Sequence, residues 1–288
     1  MLKEGTAMRI RMTAMALFVG ALTASAATDM SEVTVELKLD ASDYVMGERI
    51  RGVVNVVNLS PQVLQVGTAA ANADFRIEVA RSRDGDALEP FAVRPFVADF
   101  NLEPNEGQKL ETYLADHYRL NEPGRYTARP VLVFDGIRYE GQIRAFDVVP
   151  GMRICGALQM FVNHPDLRRE FELVYWNRAG SDHLFLKASD TDAQGEALNR
   201  WMTVDLGTLM KITKPTVSIM RGGEVVVLHR VDPDNFIRSE FWSVGDGIEF
   251  HRRELLQDPE TAGSSRVREL YRESGGVKPA ERPWWKFW

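Results

Sequence analysis

Val33-Thr34-Val35-Glu36-Leu37-Lys38-Leu39 sets Val33, Val35, Leu37 and Leu39 on one face of an extended chain and Thr34, Glu36 and Lys38 on the other. That two-residue period is the mark of a strand with one face on a core and the other in water. Working outward, Ile50 to Asn58 is rich in valine, and Asp74 to Arg81 alternates Phe75, Ile77 and Val79. Arg125 to Phe134 carries Tyr126 and the run Val131 to Phe134, and Gln108 to Leu114 and Gln142 to Val149 are further strand candidates. Asp84-Gly85 and Asp135-Gly136 supply tight turns between them. About seven short strands with little helical pattern predict an immunoglobulin-like β-sandwich over residues 31–150.

A family resemblance rests on the same residues. The run Leu37 to Glu48, with Tyr44-Val45-Met46-Gly47-Glu48 leading into the valine strand and Asn58-Leu59-Ser60, resembles bacterial immunoglobulin-like modules of the macroglobulin or cell-adhesion type. Pro123-Gly124-Arg125-Tyr126 is similar to the turn that precedes their penultimate strands. Asn58, Asp74-Phe75, Asp84-Gly85 and Pro123 to Tyr126 also resemble the BsuPI-type proteinase-inhibitor sandwich. The resemblance implies a fold; function stays open, because unrelated activities share this scaffold.

Pro150-Gly151 punctuates the chain, and the composition changes after it: all six tryptophans follow. Glu170 to Trp176 and His183 to Lys187 read as strands. Pro215 to Arg221 and Glu224 to Arg230 flank Gly222-Gly223, a hairpin signal, and Phe236 to Val244 and Gly247 to Arg253 flank a second turn at Asp246. Residues 151–276 therefore read as a β-meander-rich domain with minor helix, arranged as a single sheet or small barrel rather than as propeller blades. Helical spacing is confined to Glu196 to Met202 and Arg266 to Glu273. No family resemblance extends over this half. The fold class is all-β.

Residues 1–27 read as a signal peptide. Lys3, Arg9 and Arg11 precede the apolar run Met12 to Leu22, and Ala24-Ser25-Ala26 suits cleavage. The run falls short of the roughly 20 apolar residues of a membrane span. Periplasmic or extracellular placement in a bacterium is the expectation. The formal charge is -6, and the leader holds Lys3, Arg9, Arg11 and Glu4, so the remainder carries about two more negative charges. An acidic chain without a basic patch gives no electrostatic reason to bind nucleic acid. Cys155 is the sole cysteine, so no internal disulfide forms, and its place in the apolar run Met152 to Phe161 favours a small buried hydrophobe.

Signals for chemistry are sparse. Asp190-Thr191-Asp192-Ala193-Gln194-Gly195 begins like a calcium loop, but Trp201 stands where the twelfth-position carboxylate belongs, so an exposed acidic turn is the alternative. His117, His164, His183, His229 and His251 show no metal-ligand spacing, although His229 and His251 could meet across neighbouring strands. No nucleophile elbow, zinc-protease helix or phosphate loop is present. Neither catalytic residues, nor a metal, nor a cofactor is expected. Trp176, Trp201 and Trp242 are candidates for a glycan platform or for core.

Residues 277–288 form an aromatic-cationic tail, with Trp284, Trp285, Lys286, Phe287 and Trp288 as candidate binding residues. Such side chains suit a partner's pocket, a peripheral membrane contact, or packing on their own domain. The leading expectation is a non-catalytic exported protein acting through contact with an unidentified protein or envelope component. Inhibition of a proteinase by the first sandwich, and glycan binding or glycan chemistry in the second domain, are the alternatives.

Overall fold

The computed structural model describes residues 32–257 apart from 68–70, 84, 92–93 and 246. The leader, the helix read over residues 266–273 and the aromatic tail lie outside the described residues, as do Asp84 and Asp246. All regular structure among the described residues is β, save one 3-10 turn at Leu114–Asp116.

The first half contains β1 (Val33–Leu39), β2 (Asp43–Val45), β3 (Arg51–Asn58), β4 (Leu64–Val66), β5 (Ala73–Arg81), β6 (Phe100–Leu102), β7 (Gly107–Tyr113), β8 (Gly124–Phe134), β9 (Ile137–Glu140) and β10 (Arg144–Val149). One sheet runs β1-β3-β7; the other runs β2-β10-β8-β5-β4-β6, with β9 alongside β8. The sequence alternation turns directly into layers. Val33, Val35 and Leu37 of β1, with Val54 and Val56 of β3, pack on Phe75, Ile77 and Val79 of β5 and on Tyr126, Leu132 and Phe146. Asn58 is buried at the end of β3, where Nδ2 donates to the Gln62 and Leu102 carbonyls at 2.7 and 3.0 Å and Oδ1 accepts from Ser60. The Tyr126 hydroxyl donates to the Glu122 carbonyl at 2.8 Å, tying down the Pro123-Gly124 turn.

Pro150-Gly151 leads into β11 (Met152–Phe161), β12 (His164–Arg178), β13 (Ser181–Thr191), β14 (Ala197–Thr208), β15 (Thr216–Ile219), β16 (Glu224–Arg230), β17 (Asn235–Val244) and β18 (Gly247–Gln257). These form two antiparallel four-stranded meanders, β11-β12-β13-β14 and β15-β16-β17-β18, with β11 over β15 and β14 over β18. Neither a single sheet nor a barrel is formed, because Phe171, Leu173, Leu184 and Leu186 of one meander need Val225, Val227 and Phe241 of the other to leave water. The helix expected over Glu196 to Met202 is strand instead: pairing of β14 with β13 overrides the short helical spacing, and Met202, Val204 and Leu206 meet the core at period two.

Within the meander β11–β14, the central strands β12 and β13 carry apolar contacts on both faces. Odd-numbered Phe171, Leu173 and Tyr175 of β12 face the second meander, while Val174, Trp176 and Phe185 pack on Val45 and Val149 of the first half.

Candidate functional site at the junction of the two halves

The densest polar cluster lies where the halves meet. Arg178, at the end of β12, donates from Nη1 and Nη2 to Glu48 Oε1 and Oε2 at 3.0 and 2.6 Å, a two-pronged bond that joins the β12 end to the β2–β3 turn. The same Nη1 donates to Asp205 Oδ2 at 3.3 Å, and His183 Nδ1 lies 3.0 Å from that oxygen. Trp176 Nε1 donates to Asp43 Oδ2 at 2.7 Å, and the Arg178 guanidinium packs over the rings of Phe185 and Tyr44. Burial pushes the Glu48 carboxyl above its ordinary range, with Arg178 opposing. Asp205 Oδ1 also accepts the Gly207 amide at 2.7 Å, so these groups are committed to one another, and the cluster's chemistry is holding and orienting.

A second buried charge clamps the two meanders together. Arg169 is 1% exposed and Asp190 2%. Arg169 Nε and Nη2 donate to Asp190 Oδ1 and Oδ2 at 2.6 and 2.9 Å, and Nη1 and Nη2 donate to Val244 O and Gly245 O in the β17–β18 turn. The Asp190–Gly195 stretch is therefore not a calcium loop. Asp190 is spent on Arg169, and Asp192 Oδ1 accepts the Gln194 and Glu196 amides of a turn. No group of three His, Cys, Asp or Glu side chains among the described residues is placed to hold a metal ion.

The other sequence candidates separate. His229 on β16 and His251 on β18 are divided by β17, so they do not meet across neighbouring strands. Trp176 and Trp201 sit at the junction, whereas Trp242 lies on β17 with its ring 5.2 Å from that of His251; the three do not form one platform. Cys155 is partly buried against the second core, donates to the Pro215 carbonyl, and has its thiol pKa raised by burial. Trp284, Trp285, Lys286, Phe287 and Trp288 lie outside the described residues.

Two features escaped the sequence reading. At one end of the second half, Phe161, Val162, His164, Asp166, Asp192 and Leu198 line an open cleft between hairpin ends. On β11, an edge strand, Leu158, Met160 and the following Val162 are 56%, 66% and 97% exposed. The exposed row follows from the place of β11 at the end of its sheet, with a partner on one side only, which a period-two reading of β12 alone does not show.

No family model matches the chain, and no curated protein matches it. Among solved structures, the alkylpurine DNA glycosylase AlkC of Pseudomonas fluorescens, bound to DNA with an abasic-site analogue, aligns at 18% identity and a TM-score of 0.29. That alignment covers 41% of this chain and 30% of the glycosylase, so the chain spans under a third of that protein. Spo0M, a sporulation control protein of Bacillus subtilis, aligns at 12% identity and a TM-score of 0.29 over 85% of this chain and 98% of its own. Likeness at this level carries neither fold nor activity across.

Proposed function

We propose that this is a non-catalytic exported bacterial protein that binds another protein of the cell envelope along the open edge of β11. The observation that carries this reading is the exposed row Leu158, Met160 and Val162 on and just after a strand that is hydrogen-bonded to a neighbouring strand, β12, on one side only. An extended partner segment adds to such an edge by main-chain hydrogen bonds, and alternate side chains give selectivity. Arg153, bonded to Glu170 and Glu172, forms a charged border to the row. The first half serves as an immunoglobulin-like sandwich in this reading, supported by the Tyr126–Glu122 corner that pins its Pro-Gly turn. Export rests on the leader, and the aromatic tail supplies a second contact, to protein or to the membrane surface.

The test is a photoactivatable residue at position 160, introduced into the full chain in cells, with Leu158→Lys as the matched variant. The expected result is a discrete protein adduct in the envelope fraction that the variant loses, from a chain shortened at its N-terminus. Absence of any adduct, or robust turnover by the purified protein on a broad substrate panel, overturns the reading.

A further inference from the structure

A cleft of about 220 Å³ opens at the junction beside Glu48. Ile50, Ala115, Leu120 and Val148 of the first half form its apolar wall, and Trp201 of β14 closes it from the second half. Among its lining residues, Trp201 alone comes from the second half.

The placement of Trp201 is built in. Thr203, two residues on, donates its amide to the Gly47 carbonyl at 2.9 Å and its hydroxyl to the Met46 carbonyl at 2.7 Å. Gly47 has φ +86, and a Cβ there would come within 2.8 Å of Thr203 Oγ1 and 3.3 Å of Trp201 Cβ. Only a residue without a side chain lets β14 approach so closely. Lys187 Nζ stands 5.3 Å from the Trp201 ring and adds a cation–π contact that helps hold the indole.

Charge at the cleft is one-sided. Both Glu48 oxygens are engaged, by Arg178 and by the Val45 amide at 3.0 Å, so its charge is answered within the protein. Arg119 is exposed at the cleft, makes no ion pair among the described residues, and has its guanidinium 5.8 Å from the Phe91 ring centroid. Asn121 adds a neutral polar side chain. The volume lies below the roughly 300–1,000 Å³ of pockets for drug-sized ligands, which limits the occupant to about one ring system.

We propose that this cleft binds an aromatic carboxylate, its ring against Trp201 and the apolar wall and its anionic group on Arg119. A guanidinium recognises a carboxylate in two-pronged fashion, and an aromatic pair at such a wall adds to burial. The site is separate from the β11 edge and stands whether or not that edge binds a protein. A free small acid and the C-terminal aromatic residue of a peptide share this chemistry.

The probes are N-acetyl-L-tryptophan and its uncharged carboxamide, titrated calorimetrically into the full chain, followed by a pentapeptide ending in tryptophan as acid and as amide. The acid is expected to bind saturably and at least tenfold more tightly than the carboxamide. Arg119→Gln, a surface change, should remove the preference, and Ala115→Leu should fill the cleft and weaken both ligands at least tenfold. Tighter binding of the acid peptide identifies a peptide terminus as the source; equal or weaker binding identifies a free small acid. No binding of N-acetyl-L-tryptophan at millimolar concentration, equal binding of acid and carboxamide, or affinity untouched by Ala115→Leu in a folded variant overturns the proposal.

Discussion

His229 shows how a single residue sets the response of this molecule to acid. It is buried on β16, neither ring nitrogen has a hydrogen-bond partner, and the Leu206 carbonyl beside it accepts from Arg253. Burial first, and the Arg253 cation second, press its pKa from 6.5 down to about 4. The unfolded chain therefore takes up a proton near pH 6.5 that the folded protein refuses until about pH 4. Its contribution to stability is whole above the unfolded pKa and is lost as pH falls through that window, by about 3 kcal/mol at the lower end. His229→Leu should flatten the slope of urea-unfolding stability between those pH values; an unchanged slope would assign the acid sensitivity to other groups. The Arg169–Asp190 clamp shows what was legible at this scale and overlooked. Arg169 has the parity of Phe171, Leu173 and Tyr175, and Asp190 that of Leu184, Leu186 and Ala188, so period two alone sends both charges inward. The acidic spacing of Asp190 and Asp192 drew attention to calcium because pattern matching on oxygens ignores which face each occupies.

At the level of elements, long alternating strands are the part of the fold that the residues announce. The alternation over Val33–Leu39 and Asp74 to Arg81 matches β1 and β5, since one face of each meets a core and the other meets water. The three-residue strands β2, β4 and β6 carry too few side chains to establish a period, and their existence depends on partners far along the chain. β14 misled for a related reason: of its inward residues only Met202 falls, at the last position, within the window that read as helix, and Val204 and Leu206 lie beyond it. Gly47 is the element-scale counterpart of these long-range dependencies, because the β2–β3 turn can meet β14 only without a side chain there. Gly47→Ala should destabilise the protein by about 2 kcal/mol, from the positive φ and the contact with Thr203. A lowered urea midpoint with an unchanged slope is the expected reading; a midpoint equal to that of the parent would mean that the turn relaxes without loss.

Over the whole molecule, the decisive interactions are those that no local window contains. Arg178 and Glu48 are 130 positions apart in sequence and join the two halves of the chain. Both side chains are largely withdrawn from water, so removing either leaves an unpaired charge. Arg178→Gln and Glu48→Gln should each lower stability by about 3 kcal/mol, and the double variant by clearly less than the sum. Strict additivity in urea unfolding would show that the two do not act as a pair. The all-β class and the longer alternating strands of the first half could be read from the chain; the candidate site could not, because Glu48 and Arg178 sit in sequence as ordinary turn and strand-end charges. One consequence of the double cover on β12 and β13 concerns the order in which the chain emerges. The first half emerges ahead of β11 to β14, and it can already present Val45 and Val149 when Val174, Trp176 and Phe185 follow. Reversing the two halves by circular permutation would make the nascent meander wait with one greasy side bare, and the penalty would fall on yield at the bench before it showed in the stability of the finished protein.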